Sequence, residues 1–325
     1  MTTPSTADNS HMQPEWSARI SWADLPANVR SGIEQILHAP VVEAHGQRGG
    51  FSPGTADRVR TSTGARAFVK AVGRELNEDS PAIHRKEAAI TAALPGTVPA
   101  PSLIGTFDDG DWVALVLSDV EGRHPHVPWT RKELTLVLDA LFQLSRTPVP
   151  PSLEHLPSLE DELREPFKGW SRIRTEPPPA IDPWILQNLD VLEGLADRGL
   201  KDLPGTTLVH TDVRADNVMI TTGGTAVLVD WPWACIGSSW VDALCVLLNV
   251  RVFDPVFDVD SILDSHEVFA PADAGSITGL LSGFGAYFID AARQQPVPGL
   301  PTLRTFQRQQ GEAATSWLRS RLQSQ

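Results

Sequence analysis

The sequence predicts an α+β protein built of two lobes, a small strand-rich lobe and a larger, mainly helical one. Residues 41–72 are dense in Gly, Val, Thr and Ala, which is typical of strands joined by turns. Beyond Leu117, apolar residues instead recur at helical spacing. We therefore expect a disordered leader over residues 1–20, an N-terminal lobe over 21–117 and a C-terminal lobe over 118–325, with a hinge at the boundary.

Turn and capping residues define the elements of the small lobe. Pro26 suits the first turn of a helix that begins near Asp24, and Ser80-Pro81 suits the start of a second helix that ends at Leu94. Thr61-Ser62-Thr63-Gly64 is typical of a hairpin turn. The predicted strands cover residues 57–60, 66–72, 103–107 and 112–117.

Long helices make up the predicted larger lobe, because apolar residues recur there every three or four positions. Two proline-rich pieces, 147–157 and 176–183, are predicted connectors. The predicted helices cover residues 130–144, 183–195, 239–250, 274–293 and 302–322.

The composition disfavours several classes of protein. The chain has 325 residues, 27 of them Lys or Arg and 40 Asp or Glu, for a formal net charge of −13. That balance counts against a nucleic-acid binder, which needs a basic surface. The cysteines, Cys235 and Cys245, are too few for a disulfide framework, and no run of about 18 apolar residues predicts a membrane span. With no signal-peptide pattern at the N-terminus, we expect a cytoplasmic protein, and the oligomeric state stays open.

The richest pattern in the chain is a predicted hairpin with Gly223-Gly224 in its turn. Because a hairpin returns to its starting end, it should bring Asn217, before the first strand, next to Asp230, after the second. Asp212 lies on the loop that enters this hairpin. Two carboxylates and an amide at one place offer hard oxygen ligands, which suit Mg²⁺ shared with phosphates. The alternative, a surface loop with solvated acids, does not account for the spacing.

The order of these residues matches the catalytic loops of kinases. His210, Asp212 and Asn217 give the spacing H-x-D-x-x-x-x-N, and Asp230 follows after one hairpin. Such a loop positions a hydroxyl nucleophile against metal-bound phosphates. The spacing therefore indicates phosphoryl transfer.

A lysine and a glutamate of the small lobe are predicted to form a buried ion pair. Side chains alternate along a strand, so Lys70 shares a covered face with Phe68 and Val72. Glu87 lies in the apolar stripe of the following helix. Because a lone buried charge is unfavourable, the favoured interpretation pairs Lys70 with Glu87 and aims the ammonium at phosphate oxygens. The alternative is that Glu87 reaches solvent beside its charged neighbours.

A glycine-rich segment at residues 46–55 precedes Lys70 and contains Gly49, Gly50 and Ser52. Glycines let backbone amides approach phosphates closely, although such clusters also form ordinary turns. No Gly-Lys-Ser/Thr follows, so the segment is not a Walker A loop. Its place one hairpin before Lys70 favours a phosphate-binding loop.

Together these features resemble the aminoglycoside phosphotransferase and choline kinase-like family, whose fold is similar to that of protein kinases. The resemblance covers residues 46–248 and includes the glycine-rich segment, the lysine–glutamate pair, the strand entering the hinge, the loop from His210 to Asn217, Asp230 and Asp242. It implies a protein kinase-like fold and a small-molecule kinase that uses ATP or GTP with Mg²⁺.

The resemblance also implies a role for each residue of the catalytic loop. Asp212 would act as the base for the acceptor hydroxyl. Arg214 would neutralise charge on the transferred phosphoryl group, or would be an ordinary surface arginine. Asn217 and Asp230 would bind Mg²⁺, and Asp242 would anchor the loop through hydrogen bonds.

The same resemblance assigns the nucleotide contacts to the small lobe and the hinge. Lys70, positioned by Glu87, would bind the inner phosphates beside the glycine-rich segment. Backbone groups near Ser118 and Val120 would hydrogen-bond the nucleobase.

The sequence departs from the family pattern at a few positions. Thr211 stands where the family usually has Gly after the His, and Pro232-Trp233 adds a stiff, bulky segment beside the predicted metal site. No Asp-Phe-Gly or Ala-Pro-Glu motif occurs, which favours a small-molecule kinase over a protein kinase.

The sequence leaves the acceptor open among aminoglycosides or other antibiotics, choline-like amines, amino alcohols and sugars. Residues 118–325 hold 17 basic and 27 acidic side chains, against 10 and 13 in residues 1–117, which favours a cationic acceptor. Acidic residues at 254–267 form either a solvated face or the rim of such a site. A non-catalytic nucleotide-binding pseudokinase and a nucleotidyl transferase are the alternative functions.

Overall fold

The computed structural model describes residues 19–47, 53–297 and 300–323, and these form the two predicted lobes. The small lobe is one antiparallel sheet with strand order β1-β2-β3-β5-β4. The larger lobe is mainly helical, so the predicted α+β, kinase-like architecture is confirmed. The strands of the first sheet are β1 Val41–Gly46, β2 Thr55–Thr61, β3 Arg66–Gly73, β4 Leu103–Asp108 and β5 Trp112–Ser118.

Two helices cover opposite faces of this sheet. Helix α1 (Ala27–Ile36) buries Val29 and Ile33 against one face. Helix α2 (Ser80–Ala93) packs on the other face, where Ala88 joins a small apolar cluster with residues of β5. In the register of the sheet, Lys70 of β3 lies opposite Ala56 of β2 on one side and Leu115 of β5 on the other. Lys70 is therefore held in the middle of the sheet.

The predicted catalytic hairpin is present below the hinge. Strand β5 ends at Ser118, and the short strand β6 (Gly122–Arg123) then pairs with β8 (Val218–Thr221). Strand β8 pairs in turn with β9 (Ala226–Leu228), with Val218 opposite Leu228. Gly224 in the turn has a positive φ of 76°, a conformation that glycine adopts without steric cost. The hairpin therefore returns the chain to the level of Asn217.

Helices and one further pair of strands complete the larger lobe. Strand β7 (Thr207–Val209) pairs with β10 (Cys235–Gly237), which joins the segments before and after the catalytic residues. Trp170, Trp231 and Trp317 are fully buried in the core. The helices are α3 Arg131–Ser145, α4 Leu159–Arg164, α5 Gly169–Thr175, α6 Pro183–Gln187, α7 Leu189–Lys201, α8 Val241–Phe253, α9 Asp260–Ser265, α10 Ala274–Ala292 and α11 Leu303–Gln323.

The helix predicted over 183–195 is in fact two helices, α6 and α7, which meet at Asn188. The Asn188 side chain donates a hydrogen bond of 2.7 Å to the Trp184 carbonyl, and such local bonds compete with a continuing helix. The short helices α4, α5 and α9 were not predicted. Within the described residues, none of the helices has both the length and the apolar character needed to cross a membrane.

Candidate active site

A cavity of about 320 Å³ lies between the two lobes and gathers most of the predicted site residues. Residues from β2, β3 and α2 line one side, and residues from the hinge, the catalytic hairpin and nearby loops line the rest. The predicted site residues in this lining are Lys70, Glu87, Ser118, Val120, Asn217 and Asp230. Gly49, Gly50 and Ser52 lie outside the described residues.

The predicted ion pair between Lys70 and Glu87 is confirmed. Lys70 Nζ donates to the two carboxylate oxygens of Glu87 at 2.8 and 2.6 Å, and the Glu87 side chain is only 2% exposed. The same ammonium also donates to Asp230 Oδ1 at 2.7 Å. Burial alone would lower the pKa of Lys70, but the Asp230 and Glu87 carboxylates together raise it, so the lysine is charged. Lys70 thus connects α2 with the predicted metal-binding aspartate.

A buried histidine of α2, for which the sequence carries no signal, lies near this ion pair. His84 lies three residues before Glu87 on α2, and its Nδ1 lies 3.1 Å from the Ser80 carbonyl. Burial and the nearby Lys70 ammonium lower the pKa of His84 to about 3, so the ring stays neutral. Burial raises the pKa of Glu87, and the Trp231 backbone amide, just after Asp230, opposes that rise.

The catalytic loop is anchored from below by Asp242, as expected. This buried carboxylate of α8 accepts hydrogen bonds from the backbone amides of His210, at 2.7 Å, and Thr211, at 2.8 Å. His210 Nε2 donates to the Val229 carbonyl at 3.0 Å, and Nδ1 accepts from the Asp212 amide at 3.3 Å. This pattern requires the neutral ring with its proton on Nε2. His210 therefore connects the two arms of the site through both of its ring nitrogens.

Thr211 adopts a left-handed backbone conformation with a φ of 67°. This is the position where glycine was expected, and a β-branched residue is rarely found with such a φ. The Thr211 hydroxyl donates to the Trp233 carbonyl at 2.8 Å, which joins the catalytic loop to the segment after Asp230. The departure from the family pattern therefore preserves the loop geometry at the expense of backbone strain and adds one hydrogen bond.

Asp212 is held in a fixed orientation by its neighbours on the loop. Asn217 Nδ2 donates to Asp212 Oδ2 at 2.9 Å, and Arg214 Nη1 donates to Asp212 Oδ1. Arg214 also binds Asp216 through Nε and Nη2 at 3.0 and 2.9 Å, and its guanidinium lies 5.1 Å from the ring centre of Phe306. Arg214 is thus a partly buried residue rather than a free surface arginine. Burial raises the pKa of Asp212 to about 6, and Arg214 opposes that rise.

The donor set at Asn217 and Asp230 fits a magnesium ion. The Asn217 amide nitrogen donates to the backbone and side chain of Asp212. The amide oxygen Oδ1 of Asn217, on the other side of the group, is therefore the atom that could bind a metal. Asp230 uses Oδ1 for Lys70, and no hydrogen bond to its Oδ2 occurs among the described residues. Lys70 lowers the pKa of Asp230 to about 2 despite its burial, so the carboxylate is ionised. Mg²⁺ usually binds one or two protein oxygen ligands and completes its shell with water and phosphates. One amide oxygen and one carboxylate leave room for such a shell.

The hinge end of the cavity presents apolar side chains and backbone. Phe68, Leu117 and Met219 line it together with Ser118 and Val120.

The hinge itself is braced by arginines of the small lobe. Arg58 Nε donates to Asp119 Oδ1 at 2.7 Å, and Arg58 Nη2 donates to the Val120 carbonyl at 3.2 Å. Arg66 Nη2 lies 2.7 Å from Asp119 Oδ2. The sequence analysis missed this brace, because the partners lie about sixty residues apart along the chain and no local pattern joins them.

Two helices with no predicted role in the site, α10 and α11, bring aromatic residues near Asp212 and Arg214. Burial raises the pKa of Tyr287 on α10, and the Asp212 carboxylate raises it further. Arg304 and Arg214 oppose this rise. The Tyr287 hydroxyl forms no hydrogen bond within the described part of the chain. Phe306 of α11 stacks against Arg214. Aromatic residues near the catalytic loop thus come from a distant part of the chain, which motif spacing cannot reveal.

The acidic residues at 254–267 serve mainly local structure. Asp254 and Asp258 accept hydrogen bonds from backbone amides two or three residues ahead. Asp260 accepts from the Trp317 indole at 3.2 Å and from Arg321 Nη1 at 2.6 Å, which fixes α9 to α11. Within 19–47, 53–297 and 300–323, no group of His, Cys, Asp and Glu is large enough to hold a metal by itself.

Comparisons with known proteins agree with this geometry. A model of the phosphotransferase enzyme family, APH, matches residues 49–273. No curated protein matches the chain in sequence. A solved aminoglycoside phosphotransferase from Alicyclobacillus acidocaldarius has a TM-score of 0.54 at 15% identity, over 87% of this chain and 92% of that one.

Further solved structures share the fold. A mutant of aminoglycoside phosphotransferase APH(4)-Ia, in complex with ADP and hygromycin B, has a TM-score of 0.58 at 13% identity, over 89% of this chain and 99% of that one. A fructosamine-3-kinase-like protein from Haemophilus somnus has a TM-score of 0.54 at 11% identity, over 88% and 96%. The family model spans more than half of the sequence and includes the catalytic loop, the hairpin and the lysine–glutamate pair. This chain belongs to the phosphotransferase enzyme family and is a small-molecule kinase with a protein kinase-like fold.

Proposed function

We propose that this enzyme transfers the γ-phosphoryl group of ATP or GTP to a hydroxyl group of a small molecule, with Mg²⁺ as the metal ion, in the cytoplasm. One observation carries the proposal. The Asp212 carboxylate, fixed by Asn217 and Arg214, adjoins the cavity where Lys70 and Asp230 meet. Solved relatives of this fold bind ADP with hygromycin B or with spectinomycin, which supports a nucleotide and a hydroxylated acceptor here.

Each residue has a defined part in the proposed transfer. The acceptor hydroxyl gives its proton to Asp212, and its oxygen forms a bond to the γ-phosphorus as the bond from that phosphorus to the β–γ bridging oxygen breaks. Asn217 and Asp230 would hold Mg²⁺, which neutralises charge on the leaving diphosphate. Lys70, oriented by Glu87, binds phosphate oxygens. Most of the rate enhancement comes from this positioning and charge neutralisation.

The proposed acceptor lies beside Asp212, Tyr287 and Phe306. The acid excess of residues 118–325 favours a cationic acceptor such as an aminoglycoside, another amine antibiotic or a choline-like amine. Sugars are the uncharged alternative. A matched pair of compounds separates these: an aminoglycoside and its N-acetylated form carry the same hydroxyl groups but differ in charge.

The test is mass spectrometry of such acceptor pairs after incubation with enzyme, Mg²⁺ and ATP or GTP. The proposal predicts a product heavier by one phosphoryl group, and a cationic site predicts faster conversion of the free amine. A product heavier by a nucleotidyl group would indicate nucleotidyl transfer instead. Failure to hydrolyse or transfer phosphate from either nucleotide, in the presence of tight nucleotide binding, would indicate a pseudokinase.

A further inference from the structure

The segment before α1 places an arginine in the nucleotide cavity. Arg19 lines the same cavity as Lys70 and Asp230. The next residue, Ile20, donates its backbone amide to the Pro53 carbonyl at 3.4 Å, just before β2 begins at Thr55. Arg19 falls within the leader predicted over residues 1–20, although the chain here packs against the end of the glycine-rich segment. No motif signals this arginine.

The surroundings of Arg19 are anionic and partly desolvated. Burial lowers the pKa of its guanidinium, and the Asp230 and Asp57 carboxylates oppose that change. Asp57 of β2 is 2% exposed, and its Oδ2 has no hydrogen-bond partner among the described residues. A buried guanidinium is unfavourable without anionic partners, so the position of Arg19 depends on negative charge in this part of the cavity.

Nucleotide binding changes which anions face Arg19. Lys70 is already engaged by two carboxylates, Glu87 and Asp230. If Asp230 serves as a metal ligand, its negative charge is balanced by the metal and no longer by Arg19. The outer phosphates that share this metal would then lie next to Asp230 and could face Arg19. A guanidinium is well suited to bind phosphate, because its N–H groups match two oxygens at once. The net charge of −13 opposes the binding of a triphosphate, so a further local cation would help to hold it.

From this placement we propose that Arg19 is a phosphate-binding residue of the nucleotide site, which contacts the outer phosphates and supplements Lys70. The proposal rests on the proposed function, since it requires that a nucleoside triphosphate occupies this cavity. It gives the segment before α1 a function in substrate binding.

The experiment measures dissociation constants of full-length wild type, Arg19→Ala and Arg19→Lys for ATP, ADP, AMP and adenosine by calorimetry, with Mg²⁺ and with EDTA. Arg74→Ala is the matched control, because Arg74 is exposed at the end of β3, does not line the cavity and removes the same charge. Loss of a charge-assisted hydrogen bond predicts that Arg19→Ala binds ATP at least about tenfold more weakly. AMP and adenosine should change by less than about twofold, and Arg19→Lys should recover part of the ATP affinity.

The ratio of ATP to adenosine affinity within one variant does not depend on the folded fraction, so a folding defect does not mimic the effect. An unchanged ratio in Arg19→Ala, or an equal change in Arg74→Ala, would overturn the proposal. Tighter ATP binding by Arg19→Ala would also overturn it, and would show that Arg19 blocks the cavity. If wild type binds adenosine and ATP with equal affinity, or binds neither, the proposed nucleotide site itself is wrong.

Discussion

Thr211 offers the sharpest test of how the catalytic loop is held. Its φ of 67° is in the left-handed region, which costs an L-residue about 1–2 kcal/mol. Its hydroxyl donates to the Trp233 carbonyl, a bond that contributes about 0.5–1.5 kcal/mol. Substitutions at this position can remove the two effects separately.

Thr211→Val keeps the β-branched strain but loses the hydrogen bond, so we expect it to destabilise the protein by about 1 kcal/mol. Thr211→Gly loses the same bond, and the greater entropy of its unfolded chain destabilises it further, by about 0.5–1 kcal/mol. It also relieves the backbone strain, which stabilises it by about 1–2 kcal/mol. Its free energy of unfolding should therefore stay close to wild type and exceed that of Thr211→Val by about 1 kcal/mol. Thr211→Ser keeps the donor and should differ from wild type by less than about 0.5 kcal/mol.

Urea unfolding at equilibrium measures these differences. Thr222→Gly and Thr222→Val are the controls, because Thr222 is exposed and does not have a positive φ. The free energy of unfolding of Thr222→Gly should be no higher than that of Thr222→Val. A Thr211→Val protein as stable as Thr211→Gly would refute the argument that this loop stores backbone strain.

Other variants test the electrostatics and the cavity. Asp212 must be ionised to accept a proton, so kcat/KM should fall as pH drops through about 6, where the carboxyl becomes protonated. Arg214→Gln removes the cation that lowers the pKa of Asp212, so the acidic limb of the profile of kcat/KM against pH should move to higher pH. Glu87→Gln removes the negative charge beside Lys70 and leaves Asp230 as its remaining carboxylate partner, so it should raise the KM for ATP by roughly tenfold in steady-state kinetics. An unchanged KM would show that the ion pair does not contribute to nucleotide binding. Phe68→Ala should weaken adenosine and ATP equally, by roughly fivefold or more in calorimetry, because its ring lines the hinge end of the cavity; a loss confined to ATP would contradict this.

Local patterns sufficed to predict the catalytic hairpin and the Lys70–Glu87 pair, whereas the Asp242 anchor was expected only from the resemblance to the family. The hairpin and the pair depend on the alternation of a strand, the spacing of a helix or the return of a hairpin, and these follow from backbone geometry. The short helix α4 also has a local signal that was overlooked, since the Ser158 hydroxyl caps it by accepting from the Asp161 amide at 3.1 Å.

Contacts between distant segments could not be predicted in this way. Arg19 lies in a leader of polar composition, and the structure places it in the cavity, next to Ile20, whose backbone amide bonds the Pro53 carbonyl. Tyr287 lies within electrostatic range of Asp212, and Phe306 contacts Arg214, because α10 and α11 pack on the larger lobe. Their spacing from the catalytic loop carries no periodic signal.

The most direct test of the central claim measures ATP affinity and phosphoryl-transfer turnover together in Asp212→Asn and Asp230→Ala. Asp212→Asn should keep ATP affinity within about twofold of wild type while turnover falls at least roughly a hundredfold, because the variant loses only the proton acceptor. Asp230→Ala should lose the increase in ATP affinity that Mg²⁺ gives the wild type, because it lacks a metal ligand. Wild-type turnover in both variants would contradict the assignment of Asp212 and Asp230 as base and metal ligand.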